Sequence, residues 1–421
     1  MKWFALVDCN SFYASCEQVF APAIHNSPVI VLSNNDGCVI ARSRQAKEIG
    51  IKMGVPYWEI KSLIEQKGVK VFSSNYPLYG SMSNRVMNIL HQCAPEVEVY
   101  SIDEAFLRLD FKENAWQEVY DYGQNVRQKI LQWVHLPTCV GMGKTKTLSK
   151  LANHIAKNNT SEGVCVLEAD DPILTHIPVT AIWGIAAGYE RRLAKAGIRT
   201  AAELQQASET WMYREFGVVG LRLLKELQGT PCYALDPPVS SRQNILVSRS
   251  FRRDVYQQDE LLEAISVYAT RLAEKLRQYQ QVADYITVFL MANPFKNVRK
   301  DRKQYFSQGA TLPFATSNTN ELITFSAQLI KSLYEAGTNY KKAGILASGL
   351  RPETVLQTHL FLDHEHVLRN KKIMQAMDQI NRKEGRNTVF FASCGTQRNW
   401  SRKEQWRSPR YTTRWEELLR I

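Results

Sequence analysis

Three carboxylates stand where strands ought to end. Asp103 and Glu104 are adjacent in Ser101-Ile102-Asp103-Glu104-Ala105-Phe106, flanked by strand-forming residues from Val97 to Leu109, and Asp8 closes the apolar run Phe4-Ala5-Leu6-Val7. Neighbouring side chains of a flat strand point to opposite faces, so Asp103 and Glu104 converge only if a turn or bulge redirects one of them. A solvated acidic loop is the competing reading, yet the residues before the pair, Val97-Glu98-Val99-Tyr100, are not loop-like. Carboxylate oxygens at the ends of neighbouring strands, with no His or Cys set beside them, suit magnesium rather than zinc. Two such ions can stabilise the attacking and leaving oxygens of phosphoryl transfer.

The elements that must position these acids alternate. A buried strand ending at Asp8 leads to a helix through Phe12, Ala14, Cys16 and Val19, and Pro28 to Leu32 forms a second strand. The polar turn Ser33-Asn34-Asn35-Asp36-Gly37 precedes Cys38-Val39-Ile40-Ala41 and a helix from about Ser43 to Ile49. One helix carries Leu78, Met82, Val86, Ile89 and Leu90; another spans 116–134; Thr138-Cys139-Val140 opens into a helix with Leu148, Leu151 and Ile155. This is a mixed α/β pattern to about residue 168. Short helices follow to about 230, then a Pro-rich linker at 233–244. A second α/β unit is expected over 245–350, with 351–421 as an extended tail.

A chain of 421 residues exceeds one core. Its eight cysteines have no Cys-x-x-Cys spacing and read as reduced thiols. The first apolar run is too short for a signal peptide or membrane span, so a soluble intracellular protein is expected. The net charge of +12 is uneven: residues 1–240 hold 24 basic and 24 acidic residues, whereas 241–421 hold 29 against 17. A basic part attached to a neutral one fits a polyanion-holding half, with a merely solubilising surface as the plain alternative.

Asp8-x-Asn-x-Phe-Tyr, Ser101-Ile102-Asp103-Glu104-Ala105 and Gly143-Lys144-Thr145-Lys146…Lys150-Leu151-Ala152 together resemble the Y-family lesion-bypass DNA polymerases, in order over about residues 1–350. Residues 33–42 and 408–414 resemble the UmuC-type subgroup. Gly143-Lys144-Thr145 is no P-loop, because position 138 is Thr where that motif has Gly.

The resemblance implies a right-handed architecture: palm 1–12 and 76–168, fingers 13–75, thumb 169–232, little finger 245–350, and a partner-binding tail. Asp8, Asp103 and Glu104, with the carbonyl of Cys9, would hold two Mg²⁺ ions. Tyr13 matches the steric gate; Phe12, Tyr13, Arg44, Lys47 and Lys150 fall at dNTP-binding positions. Arg44 stands where many relatives have a Tyr, which leaves its role open. Gly184 and Ala186 belong to a thumb helix-hairpin-helix whose second Gly is here Ala. Arg249, Arg252, Arg253, Lys296, Arg299, Lys300, Arg302 and Lys303 are candidates for gripping primer-template DNA, of which about half are expected to touch it. Gln357, Leu360 and Phe361 resemble a sliding-clamp peptide.

Trp400, Trp406, Tyr411 and Trp415, interleaved with Arg and Lys, suit either single-stranded DNA or a docking surface for a UmuD′-type accessory dimer and RecA. The resemblance further implies error-prone synthesis in the SOS response, in the bacterial cytoplasm at the nucleoid. No separate proofreading exonuclease is expected. Another palm-domain nucleotidyltransferase, or a DNA-binding scaffold that blocks forks without chemistry, are the rival functions.

Overall fold

A strand with an unbroken apolar run, here Trp3 to Val7, belongs in the middle of a sheet, and β1 (Lys2–Cys9) is the central strand of five. It is followed by α1 (Phe12–Val19), β2 (Val29–Leu32), β3 (Val39–Arg42), α2 (Arg44–Glu48), α3 (Lys61–Lys67), β4 (Lys70–Ser73) and α4 (Tyr76–Cys93). Then come β5 (Glu96–Val99), β6 (Glu104–Asp110), α5 (Trp116–Val134), β7 (Thr138–Gly143), α6 (Lys146–Asn159) and β8 (Val164–Leu167). The main sheet has the order β5-β6-β1-β7-β8, and β3-β2-β4 form a separate small sheet. The computed structural model that gives this architecture describes residues 1–113, 115–159, 162–235, 242–296, 304–353, 364–398, 400–401 and 404–419.

The two faces of β1 do different work. Trp3, Ala5, Val7 and Cys9 join a core with Leu78, Met82, Val126 and Ile130 from α4 and α5. By the two-residue period, Phe4, Leu6 and Asp8 face the other way, towards α6. There Asn153 of α6 donates through Nδ2 to the carbonyls of Leu6 (3.2 Å) and Cys139 (2.9 Å). The approach is close because position 141 on β7 lacks a side chain. A Cβ at Gly141 would lie 2.0 Å from the Asn153 nitrogen.

The remaining helices of this unit are α7 (Ala187–Lys195), α8 (Ala201–Gln205) and α9 (Glu209–Leu227), which pack with Leu148, Leu151 and Ile155 of α6. The chain divides into Met1–Val239 with Gln405–Ile421, and Ser240–Glu404. The second unit holds β9 (Ile245–Val255), α10 (Gln258–Gln278), β10 (Gln281–Ala292), β11 (Tyr305–Thr316), α11 (Thr319–Leu333), β12 (Tyr340–Pro352) and α12 (His364–Lys383). Its sheet, β11-β10-β12-β9, is antiparallel throughout. Leu261, Ile265 and Leu272 of α10 and Leu322 and Ile330 of α11 pack onto Phe251, Ile286, Val288 and Ile345 of the sheet.

The described residues beyond 363 do not form an extended tail, which corrects the expectation from sequence. Asp378 of α12 accepts from Nε and Nη2 of Arg277, both at 2.7 Å, and Trp400 is buried edge-on against Phe251 and Tyr268 in the second unit's core. Residues 405–419 belong to the first unit, where Trp406 packs on Tyr57 and Tyr411 on Phe20. Single aromatic anchors hold these segments, and single anchors leave no periodic trace in a sequence.

Candidate metal and nucleotide site

Asp8 stands directly opposite Glu104 of β6 on one side and Cys139 of β7 on the other. Residues paired across antiparallel strands share a face, so Asp8 and Glu104 both face α6. The bend required between Asp103 and Glu104 is the turn Tyr100–Asp103. Tyr100 and Ser101 both donate their N–H to the Glu104 carbonyl (3.1 and 3.0 Å), and Ser101 Oγ accepts from the N–H groups of Asp103 (3.3 Å) and Glu104 (3.1 Å). Ser101 Oγ also donates to Asp103 Oδ1 at 2.5 Å. The Asp103 carbonyl accepts from the Cys9 N–H (2.9 Å), carrying the β1 pairing past the end of β6.

The acids are brought together as a pair plus one. Asp8 and Glu104 adjoin, whereas Asp103 is held by Ser101; among the described residues no three Asp, Glu, His or Cys side chains gather into a metal cage. The Asp103 charge still reaches the neighbouring Cys9 and Tyr13. Burial pushes the Asp8 carboxyl up to about 7, against the pull of Lys157 and with a contribution from its hydrogen bond to Glu104. Glu104 is partly buried as well, but hydrogen bonds from Asp8 and Lys150 hold it below the usual carboxylate range. The two therefore titrate as a coupled pair.

Two ammonium groups from α6 neutralise this pair. Lys157 Nζ lies 2.6 Å from Asp8 Oδ2 and Lys150 Nζ 2.8 Å from Glu104 Oε2. Lys150 also sits over the rings of Tyr100 (4.5 Å) and Trp183 (5.6 Å). Lys157 was not among the residues expected from sequence. Its signal is the spacing Lys146, Lys150, Asn153, Lys157, a polar stripe four, seven and eleven residues along one helix face. Lys146 completes the stripe with a 2.5 Å contact to the buried Glu98.

This donor set fits divalent magnesium. Two carboxylates whose charge is met by two side-chain cations offer hard oxygens, and no thiolate competes. Burial raises the Cys9 thiol far above its ordinary value, so only its backbone carbonyl is a candidate ligand.

The other expected nucleotide residues divide. Lys47 is exposed on α2, and partial desolvation, then Arg42 and Lys157, hold its amine below the usual range, with Asp8 opposing, which places it near the same charges. Arg44 is 88% exposed and pairs with Glu48 at 2.9 Å. The Phe12 side chain is buried in the core, leaving only its backbone for a ligand. Tyr13 is half-buried, its phenol pushed up to about 12 by burial. Its ring stacks flat on Tyr79 (centroids 4.4 Å, 15°) and edge-on to Tyr76 at 6.1 Å.

Tyr79 OH donates to Glu17 Oε1 at 2.6 Å, and Glu17 is 1% exposed with Oε2 unpartnered. Burial pushes Glu17 up to about 7 from 4.5, against hydrogen bonds from Tyr79 and Ser408. A raised acid favours the fold while protonated, so this contribution is whole below about pH 4.5 and is lost as pH rises through about 7. Glu17→Gln is expected to flatten that decline. Relative to wild type it gains on the order of 2 kcal/mol between pH 5 and 8, read from denaturant unfolding at each pH.

Gly184 has φ +90° with open space where a Cβ would stand, and Ala186 is the N-cap of α7 without a side-chain cap bond. In the second unit Arg249 and Arg252 are exposed on the edge strand β9. Arg253 pairs with Glu260, and Lys296 pairs with Asp254 at 3.0 Å. Arg299, Lys300, Arg302, Lys303, Gln357, Leu360 and Phe361 lie outside the described residues.

A carboxylate pair on the central strands of this sheet, with a small sheet and a helical subdomain beside it, is the architecture of the Y-family DNA polymerases. A chimera of the Y-family polymerases Dbh and Dpo4 superposes with a TM-score of 0.65 at 21% identity, covering 84% of this chain and all of that one. A Dbh ternary complex gives 0.55 at 22% identity over 82% and 98%. Models of the impB/mucB/samB family match residues 7–154 and, for its C-terminal domain, 242–360; a domain of unknown function (DUF4113) matches 371–421. The chain is 41% identical to protein UmuC of Salmonella typhimurium over 99% of its length and 100% of that protein. It is 37% identical to protein MucB of Escherichia coli (99% and 98%) and 29% identical to DNA polymerase IV of Moorella thermoacetica (92% and 94%). The chain belongs to the impB/mucB/samB family, the UmuC-type branch of the Y-family DNA polymerases.

Proposed function

We propose that this chain is a template-directed, error-prone translesion DNA polymerase that joins a dNTP to a primer 3′-hydroxyl during the SOS response. The observation that carries the reading is the pair of buried Asp8 and partly buried Glu104, matched by Lys157 and Lys150 on the sheet of a Y-family fold. Asp8, Glu104 and Asp103, with the Cys9 carbonyl, would hold two Mg²⁺ ions. Held by these residues, the ions would supply activation of the primer hydroxyl and neutralisation of the leaving pyrophosphate.

The chain's own residues do the rest. Asp8, poised near neutrality, gives up its proton readily to become a full carboxylate. Lys150 and Lys157, released from their carboxylates, join Lys47 in meeting the triphosphate. Tyr13, backed by Tyr79, is the wall against a ribose 2′-hydroxyl. Removing it with Tyr13→Ala is expected to raise ribonucleotide incorporation about tenfold or more, in steady-state insertion of a matched rNTP and dNTP.

In this reading residues 1–12 and 76–168 are the palm, 13–75 the fingers, 169–232 the thumb and 245–350 the little finger. Residues Gly184–Ala186, with Arg249 and Arg252, meet DNA phosphates. The accessory partners are a UmuD′-type dimer, RecA and the sliding clamp, and the place of action is the nucleoid. None of the helices among the described residues is long and apolar enough to cross a membrane.

Primer extension past an abasic site tests the function, with the purified chain supplemented by accessory dimer, RecA and clamp. Templated insertion supports it; untemplated addition favours another palm nucleotidyltransferase, and DNA binding without insertion favours the scaffold.

A further inference from the structure

The two stretches that mark the UmuC-type subgroup in sequence, residues 33–42 and 408–414, converge on one strap of chain. Asp36 is buried, and its carboxylate accepts from Ser73 Oγ (2.6 Å) and from the N–H of Gln405 (3.0 Å). Trp406 donates its N–H to Ser73 Oγ and accepts from the Ser73 N–H, both at 3.0 Å. Residues 405–406 thereby meet the last residue of β4, the strand at one edge of the small sheet.

Ser408 then enters beneath the tyrosines. Asn75, fully buried, caps α4 with its side-chain oxygen, and its Nδ2 lies within hydrogen-bonding distance of Ser408 O (3.0 Å), Ser408 Oγ (2.8 Å) and Pro409 O (3.1 Å). Ser408 Oγ donates to Glu17 Oε1 (3.1 Å), the oxygen that also receives Tyr79 OH. Glu17 lies one turn after Tyr13 on α1, and Tyr79 lies one turn into α4. Tyr411 closes the strap by stacking on Phe20 at 4.9 Å.

We propose that residues 405–411 are a positioning strap of the nucleotide site: through Ser408 they set α1 against α4, hence the ring of Tyr13, and thereby the discrimination between deoxyribose and ribose. The proposal rests on Tyr13 being the sugar gate. Tyr13 has its flat support in Tyr79, Tyr79 is held by Glu17, and among the described residues Glu17 has two donors, Tyr79 and Ser408. Without that donor a buried carboxylate keeps one bond and withdraws towards other partners, and the tyrosine stack loses its register. A gate that works by steric collision is sensitive to shifts below an ångström.

The test uses the full chain with its accessory proteins and measures insertion of dCTP and CTP opposite dG. Ser408→Ala, and Asn75→Asp, which keeps the cap acceptor and deletes the donors, are expected to lower the dCTP/CTP ratio of kcat/KM about tenfold. Tyr79→Phe, which keeps the ring, moves the ratio the same way, and adding Ser408→Ala to it changes little more. Tyr13→Ala is the reference. If Tyr13→Ala leaves the ratio unchanged, the gate reading fails and the strap's role falls with it. If Tyr13→Ala lowers the ratio while the strap variants slow both nucleotides equally, the gate stands and the strap proposal is wrong. Hydrogen exchange on the wild type is an independent check that needs no variant. Protected N–H groups at Ser73 and Trp406 support docking, and fast exchange at both overturns it.

Discussion

Asp8→Asn gives a folded chain that extends primers at least about a thousandfold more slowly than wild type, on the order of 4 kcal/mol of lost transition-state stabilisation. The asymmetry between folding and catalysis follows from the site's electrostatics. Burial already pushes the Asp8 carboxyl up to about 7 in the metal-free protein, so an amide of the same shape replaces a group that is half protonated at neutral pH. The substitution leaves Lys157 without its carboxylate, but Lys157 is 35% exposed and can turn to water. The catalytic form is different, because only the carboxylate binds a divalent ion strongly. Thermal unfolding without metal should therefore match wild type within a few degrees. Primer extension and Mg²⁺ titration of the dNTP-loaded protein should show the loss. A variant that extends primers normally would remove Asp8 from the metal site.

Gly141→Ala is expected to destabilise the first unit by about 3 kcal/mol and to depress activity with it. The added Cβ would lie 2.0 Å from the Asn153 nitrogen and 2.3 Å from the Ser149 carbonyl oxygen. Both are backbone atoms of α6, so no side chain can swing aside; the helix must retreat from β7. Lys150 and Lys157 ride on that helix, and the Asn153 bonds to Leu6 and Cys139 break as it moves. Denaturant unfolding reads the stability, and KM for dNTP reads the displaced cations. Activity falling while KM stays constant would show that α6 keeps its place.

What the sequence disclosed depended on the kind of contact. β1 was legible because a buried central strand needs an unbroken apolar run, and a lone acid at its end is then conspicuous. The helix at 116–134 has the bounds of α5, since its apolar period is sustained. Strands β10 and β12 run well beyond their apolar stretches, because an antiparallel strand alternates polar residues at its open face. The turn at Ser101 could be required but not described, since a serine that pins two N–H groups looks like any serine. Lys157 carries no local mark, because the charge that matches the strand-end acids comes from a stripe on a helix. The placement of the last residues is not legible in sequence, because Asn75 and Ser408 meet across more than three hundred residues, a contact no local pattern records.

The first unit is made of two pieces of chain, Met1–Val239 and Gln405–Ile421, and the whole of Ser240–Glu404 is synthesised between them. On the ribosome the carboxylates, the lysine stripe and the tyrosine stack are all translated before the segment that meets Ser73 and satisfies Asn75. Until then the Asn75 amide lacks the Ser408 and Pro409 acceptors that its Nδ2 meets in the finished unit. The order of translation thus separates the two sides of one hydrogen-bonded contact: Asn75 precedes residues 240–404 and Ser408 follows them.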